Sequence, residues 1–214
     1  MVQLFISAFV TLFVVIDPPG CVPIFSSLTA GTSARHRRDM AVRSILIGTV
    51  VLLLFALAGE SFLSALGITL PAFKIAGGLM VFVIAVDMVF EKRTQRRENR
   101  AEEVKTSAAA SGKPLEEEDI SVFPMAVPML AGPGAIASVM LLTARTDSTL
   151  EEAVVLGALL AVLLLTLLCL LAAGPIMKLL GAKFEGALTR LLGVVLAALA
   201  AQFVIDGIKQ SFNL

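Results

Sequence analysis

Asp17-Pro18-Pro19-Gly20 combines a carboxylate, two residues without a backbone N–H and one without a side chain. The four residues fall near the midpoint of an apolar segment running from about Val2 to Leu28. An isolated aspartate at the centre of a membrane-spanning helix costs about 2.5–3.5 kcal/mol by insertion measurements. The two prolines also remove two donors from the helical ladder. A bilayer tolerates such a break only where the backbone is buried in protein or lines a cavity. A second break, Pro128-Met129-Leu130-Ala131-Gly132-Pro133-Gly134, lies mid-span in a later segment. Aspartate is a good N-cap and proline suits a first helical turn. Asp17-Pro18 and Gly132-Pro133 therefore each predict the start of a half-helix, reaching about Leu28 and about Thr143.

The two half-helices are expected to aim their N-termini, with free N–H groups and positive dipole ends, at one small volume. Such a volume suits a carboxylate. Carbonyls ending the preceding half-helices, around Val14–Ile16 and Leu130–Ala131, could accept from an ammonium or coordinate a cation. Asp17 adds a carboxylate, so the expected site holds a zwitterion, with Asp17 on the ammonium or on a coupled proton or sodium. Gly20, Gly132 and Gly134 let ligand or backbone approach closely, while Pro23 and Pro128 keep the unwound stretches from closing into helix. The alternative is that Asp17 only caps its own half-helix and the prolines produce a static kink.

Gln202, deep in the last apolar segment, is a candidate for the pathway. Lys74, Asp87 and Arg190 either reach their interfaces or gate opposite mouths. Cys21 and Cys169 lie inside apolar segments and read as small buried hydrophobes. There is no Ser/His/Asp grouping, Cys/His cluster or phosphate-cradling loop, so neither an enzyme nor a metal or other cofactor is expected. A zero net charge gives no reason to expect a nucleic-acid partner.

The elements that must position these residues are membrane helices. The chain has 214 residues, of which 57% are hydrophobic and 16% charged, more apolar surface than one soluble core could hide. Apolar stretches near 2–28, 40–58, 71–90, 122–142, 153–174 and 187–208 each suffice to cross a bilayer. The N-terminus lacks the basic region of a cleaved signal peptide, so the first is read as a retained span. The loops after spans one, three and five hold fourteen of the seventeen lysines and arginines. The positive-inside rule places those loops in the cytoplasm and both termini outside.

Residues 91–121 are polar and read as a flexible cytoplasmic linker between two three-span halves, 1–90 and 122–214. The halves share landmarks in order: Gly20 to Gly77 spans 57 residues, and Gly134 to Gly193 spans 59. An odd number of spans per half makes the second copy enter from the opposite side. The expected fold is all-α and polytopic, with six transmembrane helices as two inverted three-helix repeats, first and fourth broken at mid-membrane.

Asp17-Pro18-Pro19-Gly20-x-x-Pro23-Ile24-Phe25, Ala76-Gly77-Gly78 with Asp87-Met88, and Pro128-x-x-x-Gly132-Pro133-Gly134-Ala135-Ile136 resemble the MarC family. These are six-span bacterial inner-membrane proteins, also called the neutral amino acid transporter family. The resemblance covers essentially the whole chain outside the linker. It implies a multi-pass inner-membrane protein and transport of small neutral amino acids. The residues and the resemblance together predict a secondary transporter or exporter of a small zwitterion, using alternating access around a midplane site. A non-transporting membrane partner or regulator, acting through the linker, is the alternative. The partners expected are a small-molecule solute and the lipid bilayer; a homo-oligomer stays open.

Overall fold

The computed structural model describes residues 1–110 and 119–212, with the side chains of 107–110 and 178–185 outside that description. The described chain folds into α1 (Val2–Ile16), α2 (Pro18–Leu28), α3 (Ala34–Ala65), α4 (Leu70–Val89) and α5 (Lys92–Ala110). An irregular, widely wound segment follows over Ser121–Leu130, then α6 (Pro133–Thr143), α7 (Thr149–Leu171) and α8 (Ala173–Phe212). Side-chain oxygens open four of the described helices: Asp17 accepts from Gly20 N–H, Ser33 from His36, Thr69 from Ala72 and Ser148 from Glu151. The protein is an all-α polytopic membrane protein. Val2–Leu28, α3, α4, α7 and Gly186–Phe212 are each long and apolar enough to span. The pair of Ser121–Leu130 and α6, bent by 51°, makes a sixth where the two count as one broken span.

The broken elements occupy the middle of the bundle. Of the apolar window in Val2–Leu28, 61% is buried, against 28–39% in the four unbroken spans. The unbroken helices turn apolar stripes outward, as Leu46, Val50, Leu54 and Leu57 do along α3. Such stripes face lipid in a membrane protein. Polar breaks are thereby shielded from the acyl chains by intact helices, as the backbone at those breaks requires.

Neighbour relations recur between the halves. α1 packs on α7 as the irregular segment packs on α3; α2 meets α8 and α7 as α6 meets α4 and α3. α2 and α6 are each eleven residues long and each begins with proline. α4 and α8 form the closest seam. A Cβ added to Gly78 would stand 3.0 Å from the Ala200 carbonyl oxygen, and one on Gly193 would stand 3.0 Å from that of Ala85. Small residues at such contacts let helix backbones meet. At one end of the bundle, the end of α2, start of α3, end of α7 and start of α8 surround a cavity of about 630 Å³. At the other end, their counterparts in α6, α7, α3 and α4 surround one of about 360 Å³.

Three expectations need correction. The stretch 92–110 is helix α5, not flexible linker, and it packs against α2, α4 and the irregular segment. Its composition is polar, but its arginines find buried partners in the broken spans. Residues 111–118, which include Glu116, Glu117 and Glu118, lie outside the described residues. The fifth and sixth spans are joined by no loop: α8 runs as helix from Ala173 to Phe212, and only Ala172 separates it from α7. The fourth span does not begin as a regular half-helix. Phe123 and Val127, each before a proline, take extended conformations inside Ser121–Leu130.

Candidate functional site

The first break can be followed bond by bond. Asp17 N–H still donates to the Phe13 carbonyl at 2.9 Å, closing α1. Asp17 then turns left-handed, with φ 59° and ψ 65°, a region that Asp visits more readily than most residues. Pro18 and Pro19 stand where N–H groups would have reached the Val14 and Val15 carbonyls. The Gly20 N–H, which would have reached Ile16, instead donates to Asp17 Oδ1 at 3.2 Å. The prolines and the cap thus orphan three carbonyls in the bundle interior, where orphaned acceptors are costly.

Helix α5 supplies donors for two of them. Arg93 Nη2 donates to the Val15 carbonyl at 2.6 Å, and Arg97 Nη2 to that of Ile16 at 3.4 Å. Arg97 Nη1 also donates to Asp17 Oδ2 at 2.8 Å, in an ion pair with side chains only 7% and 1% exposed. Arginine suits both tasks, since its planar fork offers several donors and it stays charged when buried. Burial, followed by the adjacent charge of Arg97, lowers the Arg93 pKa to about 10. It therefore remains a cation at physiological pH, beside the negative C-terminal end of α1.

Asp17 has both carboxylate oxygens engaged, one by Gly20 and one by Arg97. This corrects the expectation of a carboxylate open to a solute ammonium. Gly20 is part of the clamp, because an added Cβ would lie 2.2 Å from Asp17 Oδ2 and 2.7 Å from Arg97 Nη1. Gly20→Ala is expected to force the pair apart with no change in charge, lowering the thermal midpoint of the purified protein by roughly 5–10 °C. An unchanged midpoint in a melting curve would show that the pair re-forms around a methyl group.

The second break opens onto a cavity of about 430 Å³, lined by Pro128, Gly132, Pro133 and Gly134, by Val15, and by Arg93, Arg96, Arg97 and Arg100. The first intrahelical bond of α6 is Ile136 N–H to the Gly132 carbonyl, so the Gly134 and Ala135 N–H groups precede it at the positive helix end. The backbone is tightly confined here. A Cβ on Gly132 would fall 2.4 Å from the Pro128 carbonyl oxygen, and one on Gly134 would fall 2.2 Å from Ile84 Cδ1. Asp87 is the acidic residue of the lining, and it is ion-paired with Arg96. Four arginines and a helix N-terminus therefore line one volume, a setting for a carboxylate or another small anion.

Pro128, Gly132, Pro133, Gly134 and Asp87 are thus brought together. Asp17, Pro18, Pro19, Gly20 and Pro23 are not among the lining residues. The first break reaches the cavity through Val15 and through Arg97, which touches both. Gln202 and Lys74 lie at the opposite end of the α4–α8 seam. There Gln202 donates to Asp206 Oδ1 at 2.7 Å, Lys74 Nζ to Gln210 Oε1 at 2.9 Å, and Arg145 pairs with Asp206. Arg190 pairs with Glu91 at the α5 end. Cys21 is buried, with Sγ 3.6 Å from the Ile16 carbonyl oxygen.

The arginines of α5 were absent from the residues expected at the site. One signal for them exists in the sequence. Arg93/Arg97 and Arg96/Arg100 are each spaced i, i+4, which puts each pair on one helical face.

A protein-family model described as MarC family integral membrane protein matches residues 2–212. The chain is 35% identical to UPF0056 membrane protein MJ1677 of Methanocaldococcus jannaschii, over 97% of each chain. It is 36% identical to UPF0056 inner membrane protein YhgN of Escherichia coli K12, over 95% of each. A UPF0056 membrane protein of Archaeoglobus fulgidus is 35% identical over 96% of this chain and 92% of its own. No solved structure matches the chain. Spans, breaks and whole-length similarity agree, and the chain belongs to the MarC family of integral membrane proteins.

Proposed function

We propose that the protein is a secondary transporter of a small carboxylate-bearing metabolite. Small neutral amino acids and similar zwitterions are the solute class that the family resemblance implies. The observation that carries this reading is the cavity at the second break, lined by the N-terminus of α6 and four arginines. The solute carboxylate would lie on the Gly134 and Ala135 amides and the guanidinium groups of Arg96 and Arg100. By the positive-inside rule the α5 end is cytoplasmic and both termini are outside. The recurring neighbours of the two halves support an inverted repeat, the architecture by which one half can rock against the other around a central site. The ion pairs Arg190–Glu91 and Arg145–Asp206, at opposite ends of the α4–α8 seam, would then be made and broken as gates.

One observation favours a second solute class. Asp87 and Asp17 are both bound to arginine, so among the described residues the cavity offers no unpaired carboxylate to an ammonium, and a net-anionic solute fits its charge better. Uptake and efflux of labelled alanine, serine and succinate in proteoliposomes, with and without proton and sodium gradients, test both. Flux of the amino acids supports the first class and flux of succinate alone the second. No flux of any solute under any gradient would defeat the transport reading.

A further inference from the structure

We propose that the cavity of about 630 Å³ at the α5 end of the bundle is a binding site for an anionic phospholipid. Its floor is apolar, formed by the buried side chains of Phe25 on α2 and Leu170 on α7. Its rim carries Arg37 and Arg38, both exposed, in the first turns of α3. Arg37 Nη1 donates weakly to the Thr32 carbonyl, at 3.4 Å, and that contact tethers the side chain beside the cavity. Below the rim, Leu171, Leu168 and Leu164 leave the cavity down one outward face of α7, 47%, 55% and 58% exposed. Two cations above an apolar pocket, continuous with a lipid-facing strip, match a phosphodiester headgroup with an acyl chain descending from it.

The other end of the molecule supplies the control. The counterpart cavity there, between α6, α7, α3 and α4, is built from the equivalent helix ends. In place of the arginines it carries Glu60, Asp147 and Glu152. The shape recurs while the charge is reversed, so the arginines are not a by-product of how four helix ends meet. The basic cavity selects an anionic headgroup, and the acidic one repels it.

Native mass spectrometry of the full chain in mild detergent tests this. Phosphatidylglycerol and phosphatidylcholine with the same acyl chains serve as probes, and sn-glycerol 3-phosphate as a soluble headgroup. The wild type is expected to retain phosphatidylglycerol at least ten-fold over phosphatidylcholine. Arg37→Gln/Arg38→Gln should bring the two lipids level, and Arg38→Glu alone should do most of the same. Arg35→Gln, at an arginine that does not line the cavity, should leave the preference unchanged. Equal retention of both lipids by the wild type would overturn the proposal, as would undiminished selectivity in the double variant. Displacement of phosphatidylglycerol by glycerol phosphate at equal concentration would also overturn it, because the apolar floor and strip would then contribute nothing.

Discussion

Asp17→Asn is expected to destabilise the folded protein more than Arg97→Met, although the two substitutions break the same ion pair. The asparagine keeps the shape and the Gly20 contact but removes the Asp17 charge that faces the buried Arg97 guanidinium. Breaking a buried pair from one side costs about 3–5 kcal/mol. A guanidinium cannot shed its charge, so Asp17→Asn should fall at the upper end of that range. In Arg97→Met the stranded carboxylate keeps the Gly20 N–H as a partner, which limits the penalty. The Ile16 carbonyl then loses a weak donor. The double variant Asp17→Asn/Arg97→Met removes both charges and should recover more than half of the loss. Thermal melts of the four proteins, read as a double-mutant cycle, measure the coupling. Equal and additive losses would mean that the two groups do not act as a pair. The same cycle separates structure from function, since a double variant that is stable yet inactive would place Arg97 in solute binding.

Arg96→Gln and Arg100→Gln should behave in the opposite way. Both side chains are at the exposed edge of the cavity; losing Arg100 should leave the melting curve within a degree or two, whereas losing Arg96 also takes the partner of the buried Asp87 and should lower the midpoint by a few degrees. If a solute carboxylate rests on them, each removes a charge-assisted hydrogen bond worth about 1.5–3 kcal/mol. The half-saturating solute concentration should then rise on the order of ten-fold or more per substitution, with a smaller effect on maximal rate. The two residues share one ligand, so the double variant should depart from additivity. Initial rates of proteoliposome uptake over a range of solute concentrations decide this. An unchanged half-saturation in both single variants would move the solute elsewhere in the bundle.

The spans and their breaks were legible in the sequence because each rests on local composition. Apolar runs of bilayer length, Pro18-Pro19 without donors and Gly132-Pro133 at a helix start all act through the chain within a few residues. The irregular winding of Ser121–Leu130 was only half legible. Pro124 and Pro128 announce a departure from regular helix but not its form.

The occupancy of the breaks was not legible. Asp17, taken by itself, is a carboxylate in an apolar segment, and a free acceptor and a clamped one look alike in sequence. The residue that separates the two cases, Arg97, lies eighty positions further on, in a stretch whose polarity reads as solvated linker. That polarity is misleading, because buried and solvated arginines have the same letter. Partners are assigned only when the chain folds back.

The sequence by itself determined that this is an all-α membrane protein with two interrupted apolar segments, because bilayer thickness and missing backbone donors constrain short stretches directly. The tertiary structure alone decided that α5 returns into the bundle, that Arg93 and Arg97 satisfy the carbonyls freed by the prolines, and that Asp17 is spent on Arg97. It also decided that the cavity at Gly132-Pro133-Gly134 is cationic. Those outcomes depend on which distant groups become neighbours in a medium without water, where an unpaired carbonyl or charge is too costly to leave and the nearest fitting donor takes it.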